Sequence, residues 1–309
     1  MADDHHKISP TALMVARIRG QYTDMLYAKD IADAIANDHS DAGIASPFIR
    51  RLALLFPSVR ARLSSLEGRY LAVNDALSRL GDCAVLEIAA GLSPRGLDYS
   101  ARGTPYFETD LPGIISIKQD IVEGIRKKEC RVPQNHILTP LNPLNTDELE
   151  RVGELYWAIA GSKPLAVVHE GFFSYLTLDE QADMRDNMAW FLREYSPQGA
   201  WISPDFSYCS KQSAIVNFFK DRIARKTGRK FNHFKSQDEV ECFLAQSNLK
   251  GVQLPNDHIV GKLSCVKKAK LDPAKVKDFA EGYRAWYITP MEAGITEIAP
   301  DMTQPAGFS

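Results

Sequence analysis

Three residues carry most of the chemistry that can be read from this chain: Glu87, Gly91 and Asp110. Glu87 sits in the run Cys83-Ala84-Val85-Leu86-Glu87-Ile88-Ala89. That run is short and mostly apolar, as a parallel strand covered on both faces would be. It breaks at Ala90-Gly91 and continues as Leu92-Ser93-Pro94-Arg95-Gly96. Glycine lets the backbone bend sharply and lets a ligand approach, because no Cβ stands in the way. Open α/β sheets bind small molecules at such turns, beyond the carboxyl ends of their strands. Asp110 closes the next candidate strand, Tyr106-Phe107-Glu108-Thr109-Asp110, 19 residues after Gly91. An acid at that distance can accept hydrogen bonds from both hydroxyls of a ribose. Glu108 points the same way along the strand and is a second candidate.

Three ligands compete for the Gly91 turn. A phosphate-cradling loop needs Lys-Ser or Lys-Thr after its last glycine; Leu97-Asp98 follows Gly96, which excludes it. A dinucleotide fingerprint needs a third glycine in register, and none is present. An adenosylmethionine loop needs an acid at the strand end and one glycine against the methionine part, which Glu87 and Gly91 supply. Asp110 supports a nucleoside without choosing between the last two.

Further candidates lie on the flanking segments. Arg69 precedes the glycine strand by one helix, and its fork-shaped guanidinium can grip a carboxylate. Leu141 and Asn142 follow the short strand His136-Ile137-Leu138-Thr139, where an adenine ring would lodge; Asn142 offers a polar contact, while Leu141 and Leu144 offer apolar ones. His169-Glu170-Gly171 ends the run Pro164-Leu165-Ala166-Val167-Val168. Glu170 is placed to meet an amino group, and His169 to act as a base, a substrate contact or a structural histidine.

These residues need a scaffold of alternating strands and helices. From Ser9 to Leu80 the chain reads as helical, with Val15, Ile18, Tyr22 and Met25 on one face, a second helix opening at Ser46-Pro47, and the periodic series Leu63, Leu66, Tyr70, Val73, Leu77, Leu80 packing against the sheet. Gly81 is its C-cap. Thr146 to Ala160 is a helix, and Thr177 with Glu180 forms a capping box opening a helix through Tyr195. Gly199 to Asp205 is a fifth strand, and Ser207 to Thr227 a helical wall. A helix after Ser236 ends at Leu249-Lys250, with Gly251 beyond it. Val252-Leu254 and Arg284-Ile288 are the last strands, their reversed pairing closing the sheet at an antiparallel edge. The expected fold is therefore α/β, Rossmann-like, with a mostly parallel seven-stranded sheet. Residues 1–8 are assigned to a tail, 9–81 to a helical cap, 82–290 to the sheet domain with a lid insertion around 207–250, and 291–309 to a second tail.

Composition narrows the class. The chain has 309 residues, 45% hydrophobic and 25% charged, which is ordinary for a globular protein able to bury a large core. A net charge of −2 implies no basic surface for nucleic acid. Cys83, Cys130, Cys209, Cys242 and Cys265 are odd in number and lack any Cys-x-x-Cys pair, which points to reduced thiols and a cytoplasmic location. No signal peptide or membrane span is expected.

Taken together, Leu86-Glu87-Ile88-Ala89-Ala90-Gly91-Leu92-Ser93, Tyr106 to Pro112, and Glu170-Gly171 with Tyr175-Leu176 resemble the leucine carboxyl methyltransferase family. Pro140-Leu141-Asn142-Pro143-Leu144-Asn145 and the amino-terminal Ser-Pro-Thr-Ala-Leu bring the resemblance closer to its polyketide-synthesis O-methyltransferase branch. The resemblance implies a class I methyltransferase fold with S-adenosyl-L-methionine as donor. It implies Arg69 as the carboxylate contact, Gly91 as the loop glycine, Asp110 as the ribose acid, Asn142 as the adenine-side contact, and Glu170 as the residue after the fourth strand. Two departures stand out: Ala89-Ala90-Gly91 replaces the Gly-Ala-Gly of many relatives, and Asn142 stands where carboxyl methyltransferases often keep an aspartate.

The expected function is thus O-methylation of a carboxylate or hydroxyl on a small molecule. A carboxylate acceptor would need only a cation, with Arg19 or Lys211 as candidates. A hydroxyl acceptor would profit from a base, for which His169 is the candidate. An NAD-type oxidoreductase and a non-catalytic adenosylmethionine-binding regulator are the alternatives.

Overall fold

The computed structural model describes residues 10–38, 63–129, 134–206, 231–277 and 284–291. The expected helix at Ser46-Pro47, the wall from Ser207 to Thr227, the first tail and residues 292–309 of the second lie outside them, as does Lys211.

Helices α1 (Pro10–Tyr22), α2 (Ala28–Asp38) and α3 (Leu63–Leu80) precede the sheet. Then come β1 (Ala84–Ile88), α4 (Arg95–Ala101), β2 (Tyr106–Asp110), α5 (Pro112–Glu129), β3 (His136–Pro140), α6 (Thr146–Ala160), β4 (Leu165–His169), α7 (Leu178–Tyr195) and β5 (Ala200–Ser203). The chain ends its described course with α8 (Gln237–Ala245), β6 (Leu249–Gln253), the short helices α9 (Asp257–Val260), α10 (Ser264–Lys268) and α11 (Pro273–Lys277), and β7 (Trp286–Pro290).

The seven strands are ordered β3-β2-β1-β4-β5-β7-β6. The pairs from β3 through β5 are parallel, and β7 runs antiparallel to both β5 and β6. The chain winds outward from β1 to β3, then returns to lay β4 on the other side of β1. In open α/β sheets such a reversal is where the flanking loops diverge and ligands bind, beyond the carboxyl ends of the strands.

Strand alternation sends successive side chains to opposite faces. Leu86, Ile88, Leu165, Val167 and Trp201 face a core shared with Leu149 and Val152 of α6 and Met184, Met188 and Phe191 of α7. Val85, Tyr106, Ala166, Val168 and Ile202 face a second core with Val73, Ala76 and Leu77 of α3. Glu87 and Glu108 lie on this second face by the same alternation. A third cluster joins Leu13, Ala16, Ile31 and Ile35 of α1 and α2 to Ile121, Val122 and Ile125 of α5.

Two details correct the sequence expectation. Helix α1 buries Leu13, Ala16 and Arg19, while Val15, Ile18, Tyr22 and Met25 are only partly covered; a buried arginine broke the apolar pattern. Gly251 lies inside β6 rather than beyond a helix. A Cβ there would meet Leu244 Cδ1 at 2.6 Å and Trp286 Cε3 at 2.9 Å, so the glycine lets the strand lie against Trp286.

Candidate functional site

The turn after β1 is shaped by two residues at positive φ, Ala89 (50°) and Gly91 (51°). Gly91 adopts this conformation freely, whereas Ala89 carries a strain of roughly 1 kcal/mol. The Gly91 N–H donates to Asp110 Oδ2 at 2.7 Å, and the Leu111 N–H donates to Asp110 Oδ1 at 2.7 Å. Gly91 and Asp110 are therefore joined by a direct hydrogen bond, and a ligand would have to rest over the pair. Each Asp110 oxygen has a second lone pair to offer. Burial raises the Asp110 carboxyl above its ordinary value, against the pull of those two backbone bonds.

Beside this turn lies a buried group of charges. Arg95, the first residue of α4, has no exposed side-chain surface. Its Nη1 bonds Glu87 Oε1, its Nη2 donates to Glu170 Oε2 at 3.1 Å, and its Nε donates to Asn74 Oδ1 at 2.9 Å. Its guanidinium also lies 4.3 Å from the Tyr70 ring centroid, a cation–π distance. Tyr106 donates its hydroxyl to Glu87 Oε2 at 2.8 Å. On the other side, Arg19 bonds Glu170 Oε1. Arg69 Nε stands 3.7 Å from the same oxygen, near enough for an ion pair without a hydrogen bond. Burial favours a neutral Glu170, but Arg19, Arg69 and Arg95 outweigh it and hold the carboxyl below its ordinary value. Three guanidiniums thus face two carboxylates, Glu87 and Glu170, leaving one positive charge uncompensated within the group. Arg69 is the most open member, with 26% of its side chain exposed.

The geometry corrects four site expectations. Glu108 is fully buried between Lys118 Nζ at 2.6 Å and His136 Nε2 at 2.9 Å. Burial would neutralise it, but Lys118 and His136 keep it ionised, and it offers nothing to a ligand. Glu170 does not await an amino group; its two oxygens are taken by arginines. Leu141 is a core residue with 2% exposure and presents no face to an adenine. His169 is fully buried on the α6–α7 side of the sheet, among Phe172, Phe173, Trp201 and Phe206. Its Nδ1 lies 3.1 Å from Asp205 Oδ2 and 3.1 Å from Ser203 Oγ, and Nε2 has no partner. A base must reach its substrate's proton, so the structural alternative is the one the geometry supports for His169. Glu87, for its part, has both oxygens occupied, by Arg95 and Tyr106, rather than turned to a ligand.

Asn142 is exposed; its side-chain oxygen accepts from the Leu144 N–H at 3.2 Å within the turn after β3. Arg69, Gly91, Asp110 and Asn142 are the expected site residues that retain accessible surface or outward lone pairs.

Arg95, Tyr70, Tyr106 and Asp205 were not anticipated as site residues. Arg95 had a signal: a carboxylate inside an apolar strand demands a cation, and Arg95 follows Glu87 by 8 residues. Asp205 had none, since its side-chain partners, three backbone amides and the His169 ring, lie 32 to 36 residues away.

No family model matches this sequence, and no curated protein does. Solved structures do. A DUF574 family protein from Streptomyces avermitilis covers 93% of this chain and 100% of its own at 12% identity, with a TM-score of 0.50. A mitomycin 7-O-methyltransferase covers 94% of this chain and 74% of its own at 13% identity, with a TM-score of 0.44. The magnesium protoporphyrin IX methyltransferase of Synechocystis, solved with bound adenosylhomocysteine, covers 80% and 89% at 11% identity, with a TM-score of 0.42. At 12% identity and a TM-score of 0.50, the likeness to the first of these is one of fold alone. Among the described residues, no helix is long and apolar enough to cross a membrane, and no cluster of metal-ligating side chains occurs.

Proposed function

We propose that the chain is an S-adenosylmethionine-dependent O-methyltransferase acting on a small molecule. The observation that carries this assignment is the pairing of Asp110 with Gly91 at the mouth of β1 and β2, beside the positively charged Arg19–Arg69–Arg95 group. A nucleoside bearing an amino-acid tail needs a carboxylate for its ribose diol and a cation for its own carboxylate. Asp110 and Arg69 would supply these. The unpartnered Nε atoms of Arg69 and Arg19 fit a further anion.

The donor supplies a methyl group already activated on a sulfonium. An acceptor oxygen forms the new C–O bond as the C–S bond breaks and its electron pair passes to sulfur. The protein's part is alignment, which can contribute roughly 7–11 kcal/mol toward such a barrier. Arg69 would hold the tail, Asp110 the sugar, and Asn142 the adenine side. Glu87 and Glu170 hold the arginines in place. An acidic acceptor oxygen suits this group, because its own ionisation replaces a protein base.

Isothermal titration with adenosylhomocysteine tests the assignment. Binding is expected, together with loss of at least about tenfold in affinity for Asp110→Ala, the range of a hydrogen bond to a charged group. Absence of heat with the unmodified protein would reject it. Transfer of a labelled methyl group into a metabolite extract then separates an enzyme from a regulator that only binds.

A further inference from the structure

Asp205 follows β5 and is buried. Oδ1 accepts from the Gly171 N–H at 2.7 Å. Oδ2 accepts from the N–H groups of Phe172 at 2.8 Å and Phe173 at 3.0 Å, and from His169 Nδ1 at 3.1 Å. Its own N–H donates to Ser203 Oγ at 3.0 Å. One side chain thus gathers the whole segment that leaves β4. Burial alone would raise this carboxyl, but His169, Arg69 and the Phe173 N–H outweigh it, so it stays ionised.

The gathered segment carries Glu170, whose oxygens hold Arg19 and Arg95 and approach Arg69. The next residue, Gly171, sits at φ 76°, and a Cβ there would come 3.8 Å from Arg69 Nη2. The backbone path from 169 to 173 therefore decides where Glu170 and the wall beside Arg69 stand. A buried polar network of this kind holds a unique geometry only while every member is satisfied.

We infer that Asp205 is a positioning residue for the ligand's amino-acid carboxylate: by pinning the amides of Gly171, Phe172 and Phe173 it fixes Glu170, and through Glu170 the orientation of Arg69 toward that carboxylate. This rests on the adenosylmethionine site proposed above. It assigns a role in recognition to a residue that touches no ligand. The orientation of a cation matters because a bidentate carboxylate grip tolerates little misplacement.

The test uses two probes against the full chain: adenosylhomocysteine, which carries the amino-acid tail, and 5′-methylthioadenosine, which lacks it. Asp205→Asn replaces one accepting oxygen with an N–H that faces backbone donors, freeing at least one amide. It is expected to weaken adenosylhomocysteine about tenfold or more while changing methylthioadenosine by less than about twofold. Equal loss for both probes, or no loss for either, would overturn the inference. Should Asp205→Asn fail to fold, Ser203→Ala removes the oxygen that accepts the Asp205 N–H. It is expected to give the same selectivity at about two- to fivefold, and an unselective loss or no loss there overturns the inference equally. If the unmodified protein binds neither probe, the proposed site itself falls; if it binds both and the variants lose no selectivity, only the role of Asp205 falls.

Discussion

Arg95 Nη2 and Glu170 Oε2 lie 3.1 Å apart, joining the first turn of α4 to the loop after β4. This bond spans the point where the sheet reverses its winding, and it brings together the two loops that border the crevice. Arg95 also holds Glu87, so removing it leaves buried Glu87 with the Tyr106 hydroxyl alone and takes from buried Glu170 one of its two hydrogen-bonded arginines.

Arg95→Met is therefore expected to cost about 3–5 kcal/mol, the range for deleting one partner of a buried ion pair. Urea unfolding, read as a shift in midpoint at unchanged slope, measures it. A loss under about 1 kcal/mol would mean that the two glutamates find other partners.

Acid should weaken the fold in a definite window. Glu108, Glu170 and Asp205 are all held below their ordinary values of 4.5, 4.5 and 3.8 in the folded protein. Each therefore adds stability that is complete above the ordinary value and is lost as pH falls through the folded one. Stability is expected to decline steadily once the pH drops below about 4.5. Asp110, held above its ordinary value of 3.8, works with the opposite sign and slightly offsets the decline. Denaturant melts at half-unit pH intervals give the slope, and Glu108→Gln should flatten it.

Asp110→Asn should separate stability from recognition. Burial raises the Asp110 carboxyl, so its ionised form is maintained at a cost. The amide keeps one acceptor for the Gly91 or Leu111 N–H. Thermal unfolding is expected within about 3 °C of the parent or higher, while adenosylhomocysteine affinity falls about tenfold or more. A large drop in melting temperature would recast Asp110 as a structural clamp.

Gly96→Ala should be costly without touching a ligand. The added Cβ would stand 2.4 Å from Glu108 Cδ and 2.7 Å from His136 Nε2. Glu108 cannot retreat, because Lys118 and His136 hold it from both sides. About 1–3 kcal/mol of destabilisation is expected, as for other overpacked interiors, with the ratio of adenosylhomocysteine to methylthioadenosine affinity unchanged.

Most strands and the cap of α7 could be read from the sequence because their signals are local. Thr177 with Glu180 forms the capping box of α7 within three residues, whereas Asn145, which caps α6, was not singled out. Gly91 and Asp110 were readable for a similar reason: two strand ends in adjacent β-α units fall side by side in any such sheet. What resisted was the face on which a charged side chain would settle. Glu108 and Asp110 share one face of β2, yet α5 brings Lys118 over the first and leaves the second at the rim. His169 and Glu170 are neighbours in sequence but point into opposite layers, so one joins the aromatic core and the other the arginines. Only the third dimension separates them.

Helix α1 crosses the Gly91 turn closely enough that a side chain there would meet Ala12 Cβ at 3.6 Å, and Arg19 of the same helix reaches a residue 151 positions away. The roof of the crevice is thus laid by the first described stretch of chain over walls built much later. A nascent sheet would hold no finished pocket until that stretch folds back. A bulky fusion that peels α1 away should leave a well-formed sheet unable to keep its guest.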